Sequence, residues 1–250
     1  MKPNILLFDL ETAPYLGYTW GKYDQTVLTY EEERFLLCFA WKWLGQKSIH
    51  SLSLPQFRTY GLDKHNDEKL VKSMHALFQR ADIIIGHNAR SFDCKVANAM
   101  FVRHHLPPPS DYKVVDTKEV AKRHFRFSCN KLDDIAQYLR IGKKHPTTGI
   151  NLWLQCMLGN RKAWKRMIRY NKNDVILLEH VYLRMRPYMD RHPNYNVLIG
   201  RAAVCPNCGG KTMYKRGYYI TRLCRAQKYQ CQTCGAWSHG RPQRIGVELR

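Results

Sequence analysis

Two periodicities of apolar and polar positions divide the first three-quarters of the chain. Residues 4–9 ("NILLFD") run apolar and predict a buried strand. "RFLLCFAWKWLG" (34–45) and "KSIHSLSL" (47–54) predict two more strands around a glycine-containing turn. From residue 63 the spacing changes to threes and fours. Leu70, Met74, Leu77 and Phe78 then share one face of a helix over 63–81. "DIIIG" (82–86) predicts a short apolar strand, 91–106 a helix stopped by three prolines at 107–109, and "YKVVDT" (112–117) another strand. Residues 128–142 predict a helix with Ser128 or Asn130 as cap and Gly142 as stop. A long helix covers 160–186, from Asn160 to Pro187. The aromatic, polar stretch 15–33 carries no such period.

Three strands followed by strand–helix alternation predict an α/β class with a mixed sheet flanked by helices. The pattern divides the chain into a domain over 1–187, a linker over 188–204 and a separate small module over 205–250. No internal repeat or low-complexity segment is evident. With 250 residues, 44% of them hydrophobic, the chain can build one sizeable core and an appendage.

Charge narrows the partner. Lys and Arg number 41 against 20 acids, a formal net charge of +21, which points to a polyanion, above all nucleic acid. The longest apolar run, "FLLCFAW", is far below the roughly 18 residues of a membrane helix. The N-terminus shows no signal-peptide pattern. No membrane partner and a cytoplasmic location (the host's, for a phage-encoded chain) are therefore expected. Of nine cysteines, four form two Cys-x-x-Cys pairs near the C-terminus, which favours metal ligation over disulfides.

Acids recur at three informative places. Asp9 and Glu11 close the first strand on one face, since residues i and i+2 of a strand point the same way. Asp93 lies where a strand gives way to a helix. Tyr170 and Asp174 stand four apart on the long helix. Each has an ordinary reading alone: Asp93 suits the first turn of any helix, and Tyr170 suits a half-buried aromatic. Brought into one cleft, the four carboxylates would repel strongly without cations. Two divalent ions about 4 Å apart would make them a site for displacement at phosphorus. Hard oxygen ligands favour Mg²⁺ or Mn²⁺, and the Tyr170 hydroxyl could orient the attacking water.

Asp9-x-Glu11, Asn88-x-x-x-Phe92-Asp93 and Tyr170-x-x-x-Asp174 resemble the three motifs of the DEDD exonuclease superfamily in its tyrosine-bearing branch. Over about 4–193 the chain is most similar to the YprB-type predicted exonucleases of phages and prokaryotes, in "YTWGKYDQ", "LLCFAWKWLG", "ADIIIGHNARSFD", "NKLDDIAQYLRIGKK" and "YNKNDVILLEHVY". The histidine branch would place His where Arg169 stands. The resemblance implies an RNase H-like fold and 3′→5′ exonucleolysis. It implies that Asp9 bridges two Mg²⁺ (or Mn²⁺), that Glu11 and Asp174 complete the coordination of the first ion, and that Asp93 acts on the second ion through water. Tyr170 would position the nucleophile, Asn88 and Phe92 would shape their loop, and Leu10 and Thr12 would lie near the terminal nucleotide.

Six basic residues and no acid occupy 161–172, just before Asp174. Arg161, Lys165 and Arg169 are candidate phosphate contacts, and Trp164 is expected in the core. In the C-terminal module, Cys205, Cys208, Cys231 and Cys234 form two knuckles separated by a predicted hairpin. This is a zinc-ribbon signature for one structural Zn²⁺, with Cys224 and His239 as spare candidates. Residues 205–250 hold nine Lys or Arg and one acid, Glu248. With tyrosines interleaved, this is the composition of a nucleic-acid grip, with Lys215, Arg216 and Arg222 as contacts. The segment "YQCQTCGAW" resembles ribbons of transposases and related DNA-binding proteins, which favours DNA over RNA. Replication or repair proteins are the protein partners such an activity implies. A catalytically silent binding adaptor and an RNase H-like endonuclease or transposase are the competing readings; the oligomeric state is not legible.

Overall fold

The computed structural model describes residues 2–23, 26–200 and 203–246; Glu248 lies outside them. Two compact units are formed, the larger from Asn4–Glu119 and Ser128–Val181, the smaller from residues 2–3, Val120–Phe127 and Tyr182 onward.

The larger unit opens with β1 (Ile5–Thr12), a short hairpin β2 (Leu16–Tyr18) and β3 (Thr29–Glu32), then β4 (Leu36–Trp43) and β5 (His50–Ser53). After two 3₁₀ turns come α1 (Glu68–Phe78), β6 (Ile83–Gly86), α2 (Asp93–Arg103) and β7 (Lys113–Asp116). α3 (Thr117–His124), which counts with the smaller unit from Val120, α4 (Leu132–Tyr138), α5 (Ile150–Met157) and α6 (Arg161–Met185), which does so from Tyr182, follow. The sheet is five-stranded in the order β5-β4-β1-β6-β7. β1 pairs antiparallel with β4 and parallel with β6, and β6 pairs parallel with β7. β1 and β6 are central, which is why their sequences read as continuous apolar runs. The core gathers Leu6, Phe8 and Leu10 of β1, Phe39 of β4, Leu70, Met74 and Phe78 of α1, and Phe101 of α2.

Helix boundaries follow side-chain chemistry. Asn160 caps α6, its Oδ1 accepting from the N–H groups of Lys162 (2.9 Å) and Ala163 (3.2 Å). The helix expected from residue 63 begins only at Glu68, because Asp67 is otherwise engaged. Its carboxylate accepts from the Leu36 N–H, from Arg103 and from His104. Neither Ser128 nor Asn130 caps α4, which starts at Leu132 after Lys131. The backbone carbonyl of Asn130 instead accepts a bond from His87 Nε2 at 2.9 Å. The strands β2 and β3 fall in the stretch 15–33 that showed no period. All three residues of β2 are exposed, so no buried face imposes one.

In the smaller unit, residues 188–204, expected as a linker, include α7 (Tyr195–Ile199). His192 there is buried and lies 2.9 Å from the Tyr182 hydroxyl. Asn207 donates to the carbonyls of Arg186 and Met189. A compact small sheet follows: β8 (Met213–Ile220), β9 (Cys224–Cys231), β10 (Trp237–His239) and β11 (Gln243–Arg244), with β9 central.

Candidate active site

β1 sends Leu6, Phe8 and Leu10 into the core, so strand alternation points Asp9 and Glu11 to the opposite face. Cross-strand partners share a face, and those of the two acids on β4 are Ala40 and Cys38. Small neighbours leave space beside the carboxylates. α6 supplies the other wall: Asn171, fully buried, donates from Nδ2 to Asp9 Oδ2 (2.6 Å) and to the Asp9 backbone carbonyl (3.3 Å). Asp174 lies one turn from Tyr170 on the same helix. Carboxylate oxygens of Asp9, Glu11 and Asp174 all lie within 4.8 Å of one another.

Asp93 is the first residue of α2 and is 4% exposed. Its Oδ1 accepts the N–H of Leu10 at 3.4 Å, which sets it against the backbone between Asp9 and Glu11. It stands beside the three-oxygen cluster rather than within it. The Leu10 side chain, expected near a terminal nucleotide, is 4% exposed in the core; only its backbone faces the acids. Thr12 ends β1 half-buried, just past a register shift after Glu11.

The loop leading to Asp93 is built on one buried carboxylate. Asp116 at the end of β7 accepts from the N–H groups of Asn88 (2.9 Å), Arg90 (3.1 Å) and Lys118 (2.9 Å). Asn88 turns the chain with φ 71°, a conformation an Asn tolerates better than most residues. A Cβ at Gly86 would lie 2.5 Å from the Ala89 Cβ, so only glycine lets the loop fold back this closely. Burial pushes His87 down to about 4, so it stays a neutral hydrogen-bonding post for the Asn130 carbonyl. Phe92 precedes the helix with its ring beside the Arg34 guanidinium, 5.1 Å from the centroid.

The acids resist ionisation. Burial, then Asp174, Asp93 and Glu11, hold Asp9 well above the carboxylate range. Burial, with Asp174 next, raises Glu11 from 4.5 to about 8, and burial raises Asp93 from 3.8 to about 7. Asp174 is raised by burial against the opposing pull of Lys144. Protons or a cation must therefore occupy the cluster. Asp174 Oδ1 is buried without a hydrogen-bond partner, a geometry that suits an ion. Oxygen donors on this spacing fit a hard divalent cation.

Three further side chains contribute to the site. Lys144 places Nζ 2.5 Å from Asp174 Oδ2 and 3.1 Å from the Tyr170 hydroxyl, a tethered ammonium beside the acids. Trp153 of α5 favours the ionised form of Glu11 against the effect of burial and sets its ring 6.1 Å from that of Tyr170. Asn171 is the third. Their signal is thin: the lysines of "GKK" do not stand out in a chain with 41 Lys and Arg, "NLW" carries no charge, and Asn171 lies inside the motif of its neighbours. Arg161, Lys165 and Arg169 are exposed on α6 while Ala163, Trp164 and Met167 face the core. Trp164 Nε1 donates to the Tyr60 hydroxyl at 3.1 Å.

In the smaller unit the four knuckle cysteines cluster within 4.8 Å. The Sγ atoms of Cys205 and Cys234 are 3.7 Å apart, as are those of Cys208 and Cys231. A tetrahedron with Zn–S of about 2.3 Å has edges of about 3.8 Å, so the thiols fit zinc and are too far apart for disulfides. Gly209 and Gly235 adopt φ +72° and +80°, and the Gly210 N–H points to Cys208 Sγ at 3.3 Å. Cys224 and His239 are not in the cluster. Among the described residues, no helix is long and apolar enough to cross a membrane.

Residues 26–186 match the family model of the RNase H superfamily; the match begins beyond β1. No curated protein matches the sequence. Among solved structures, the chain is similar to the family B DNA polymerase from the hyperthermophilic archaeon Pyrobaculum calidifontis. The TM-score is 0.55 at 14% identity, over 75% of this chain and 25% of that one. The chain thus spans about a quarter of the length of that polymerase.

Proposed function

The chain belongs to the RNase H superfamily, and from that premise we propose that it is a metal-dependent 3′→5′ exonuclease acting on nucleic acid, DNA in preference to RNA. The observation that carries this reading is the convergence of Asp9, Glu11 and Asp174 within 4.8 Å, with Asp93 pinned beside them and Tyr170 one turn from Asp174. Two divalent cations held by Asp9, Glu11, Asp93 and Asp174 would supply an activated water and a counter-charge for the leaving 3′ oxygen.

The chain's own groups do the rest. Asn171 holds Asp9 in one rotamer. Tyr170 offers a hydroxyl to orient water, and burial keeps that phenol protonated. Lys144 offsets the cluster's charge at Asp174 and supplies a donor to an incoming phosphate. Arg161, Lys165 and Arg169 present cations to the backbone of the polymer. The four cysteines hold a structural zinc, and the ribbon they organise grips substrate.

The test is a time course on 3′- and 5′-labelled oligonucleotides with Mg²⁺, beside a closed circle of the same sequence. Stepwise shortening from the 3′ end is expected, with the circle untouched. Asp9→Ala or Asp174→Ala should lower turnover by about 10²- to 10³-fold, the range for losing one preorganised electrostatic group, while binding stays measurable. A nicked circle would replace this reading with an endonuclease. Binding without shortening would replace it with an adaptor.

A further inference from the structure

We propose that one face of the small C-terminal sheet is a stacking platform for single-stranded nucleic acid. The inference deepens the reading of nucleic acid as substrate and rests on it for the partner's class.

Register assigns the faces. Tyr214 on β8 and Trp237 on β10 both pair with Gln230 of β9, from opposite sides. Residues paired across antiparallel strands share a face, so Tyr214, Gln230 and Trp237 form one row. Two residues along β9, Lys228 lies on the same face and pairs with His239. Two further, Ala226 pairs with Tyr219. This face therefore carries Tyr214, Trp237, Tyr219, His239 and Lys228. The other carries Lys215, Tyr229, Tyr218 and Arg225.

The two faces differ in what their rings are doing. On the second face Arg225 caps the Tyr218 ring at 3.5 Å from its centroid. On the first, Tyr219 and His239 are already stacked on each other at 4.5 Å and 9°, shielding the buried Ala226. Tyr214 and Trp237 stay 46% and 54% exposed. Each has a cation at the edge of stacking range, Arg216 at 5.9 Å and Lys228 at 5.8 Å. Two open rings flanked by cations offer a π-surface to a base and a charge to the adjoining phosphate.

Charge selects the occupant. Residues 203–246 contain no Asp or Glu, so nothing on this sheet repels a phosphate, and an acidic polymer is favoured over a typical protein surface. Flat rings are useful only to bases free of their own neighbours, which excludes an intact duplex. None of the stacking residues is a zinc-cluster thiol, so the platform can be altered without removing the metal.

The experiment uses the full zinc-loaded chain carrying Asp9→Ala, so that substrate is not consumed. Fluorescence anisotropy compares labelled single strands of DNA and of RNA with the matching duplex. Single strands should bind more tightly than duplex. Trp237→Ala and Tyr214→Ala should each weaken single-strand binding by about 5- to 150-fold, the range for a lost base–aromatic stack. Tyr214→Phe should restore it, because the ring and not the hydroxyl is used. Tyr218→Ala on the opposite face should leave it unchanged, and Lys228→Gln should reduce the salt slope by about 0.7. Zinc content equal to the parent's verifies folding of each variant. Parent-like binding by both alanine variants, Tyr214→Phe as weak as Tyr214→Ala, or duplex bound as tightly as single strands would each overturn the proposal. These outcomes are independent of turnover: a wild-type chain that binds but never shortens its substrate defeats the nuclease reading and leaves the platform standing.

Discussion

Lys144 and Asp174 form an ion pair in which the carboxylate is 2% and the ammonium side chain 29% exposed. Breaking such a pair leaves a buried carboxylate that must take up a proton or lose its solvation. Lys144→Met should therefore destabilise the chain without magnesium by about 1–3 kcal/mol at neutral pH, less than a fully buried pair because water reaches the lysine. Denaturant melts with and without Mg²⁺ check this, the cation restoring much of the loss. Glu11 makes a pH prediction. Its folded-state pKa is raised from 4.5 to about 8, so between those values the folded chain binds the proton more tightly than the unfolded one. Stability contributed by this proton is present at low pH and is lost as pH rises toward 8. Glu11→Gln should cancel that share, so the difference in Tm between variant and wild type should widen in the variant's favour from pH 5 to pH 8. A difference that stays flat would mean that Glu11 ionises freely. Tyr170→Phe should lower kcat by about 10²-fold with little change in KM, as expected for a group that orients a reactant.

Among elements, β1, β4 and β6 were legible as apolar runs, buried along most of their length, and α1, α2 and α6 because each buries one face whose period survives in the sequence. α6 shows it most fully: Asn160 caps it, basic residues point outward, and Trp164 and Met167 pack inward. The hairpin β2–β3 was not, since its positions are mostly exposed and nothing enforces alternation. α5 hides its face in two buried positions, Leu152 and Cys156. The acids of the site were legible as motifs because strand and helix geometry fix which residues share a face. Lys144 was not, because its partnership with Asp174 spans 30 residues through a loop. The turn after β6 carries its own prediction. Gly86→Ala would drive a Cβ to 2.5 Å from Ala89, and opening that turn should destabilise by about 1–3 kcal/mol. It should also slow catalysis, since Asp93 lies at the end of the same loop. A variant with wild-type melting would show that the loop has room to spare.

For the whole molecule, the charge of +21 suits the holding of a polyanion, and on the proposed reading the acid cluster would be what cuts it. Salt should weaken the hold steeply, as it does for proteins that release counterions from phosphates. Zinc should matter only to the ribbon: a module this small has little core of its own beyond the cysteines, Ala236 and Met213, so folding there is linked to the metal. One zinc per chain is expected by metal analysis. Cys231→Ser should abolish it and lower affinity for single strands, while magnesium-dependent cleavage of a short oligonucleotide at saturating concentration persists. Cleavage lost together with zinc would show that the acids depend on the ribbon.

Asn171 gives the arrangement an unexpected fragility. Its amide nitrogen supports both the side chain and the backbone of Asp9, and it is the uncharged donor among acids that cling to their protons. Hydrolysing that amide, Asn171→Asp, exchanges one NH₂ for one oxygen and leaves the volume nearly unchanged. It would nonetheless replace a two-proton donor with a carboxyl that can donate only while it keeps a proton, so the smallest chemical ageing of this helix would weaken the tie between α6 and β1.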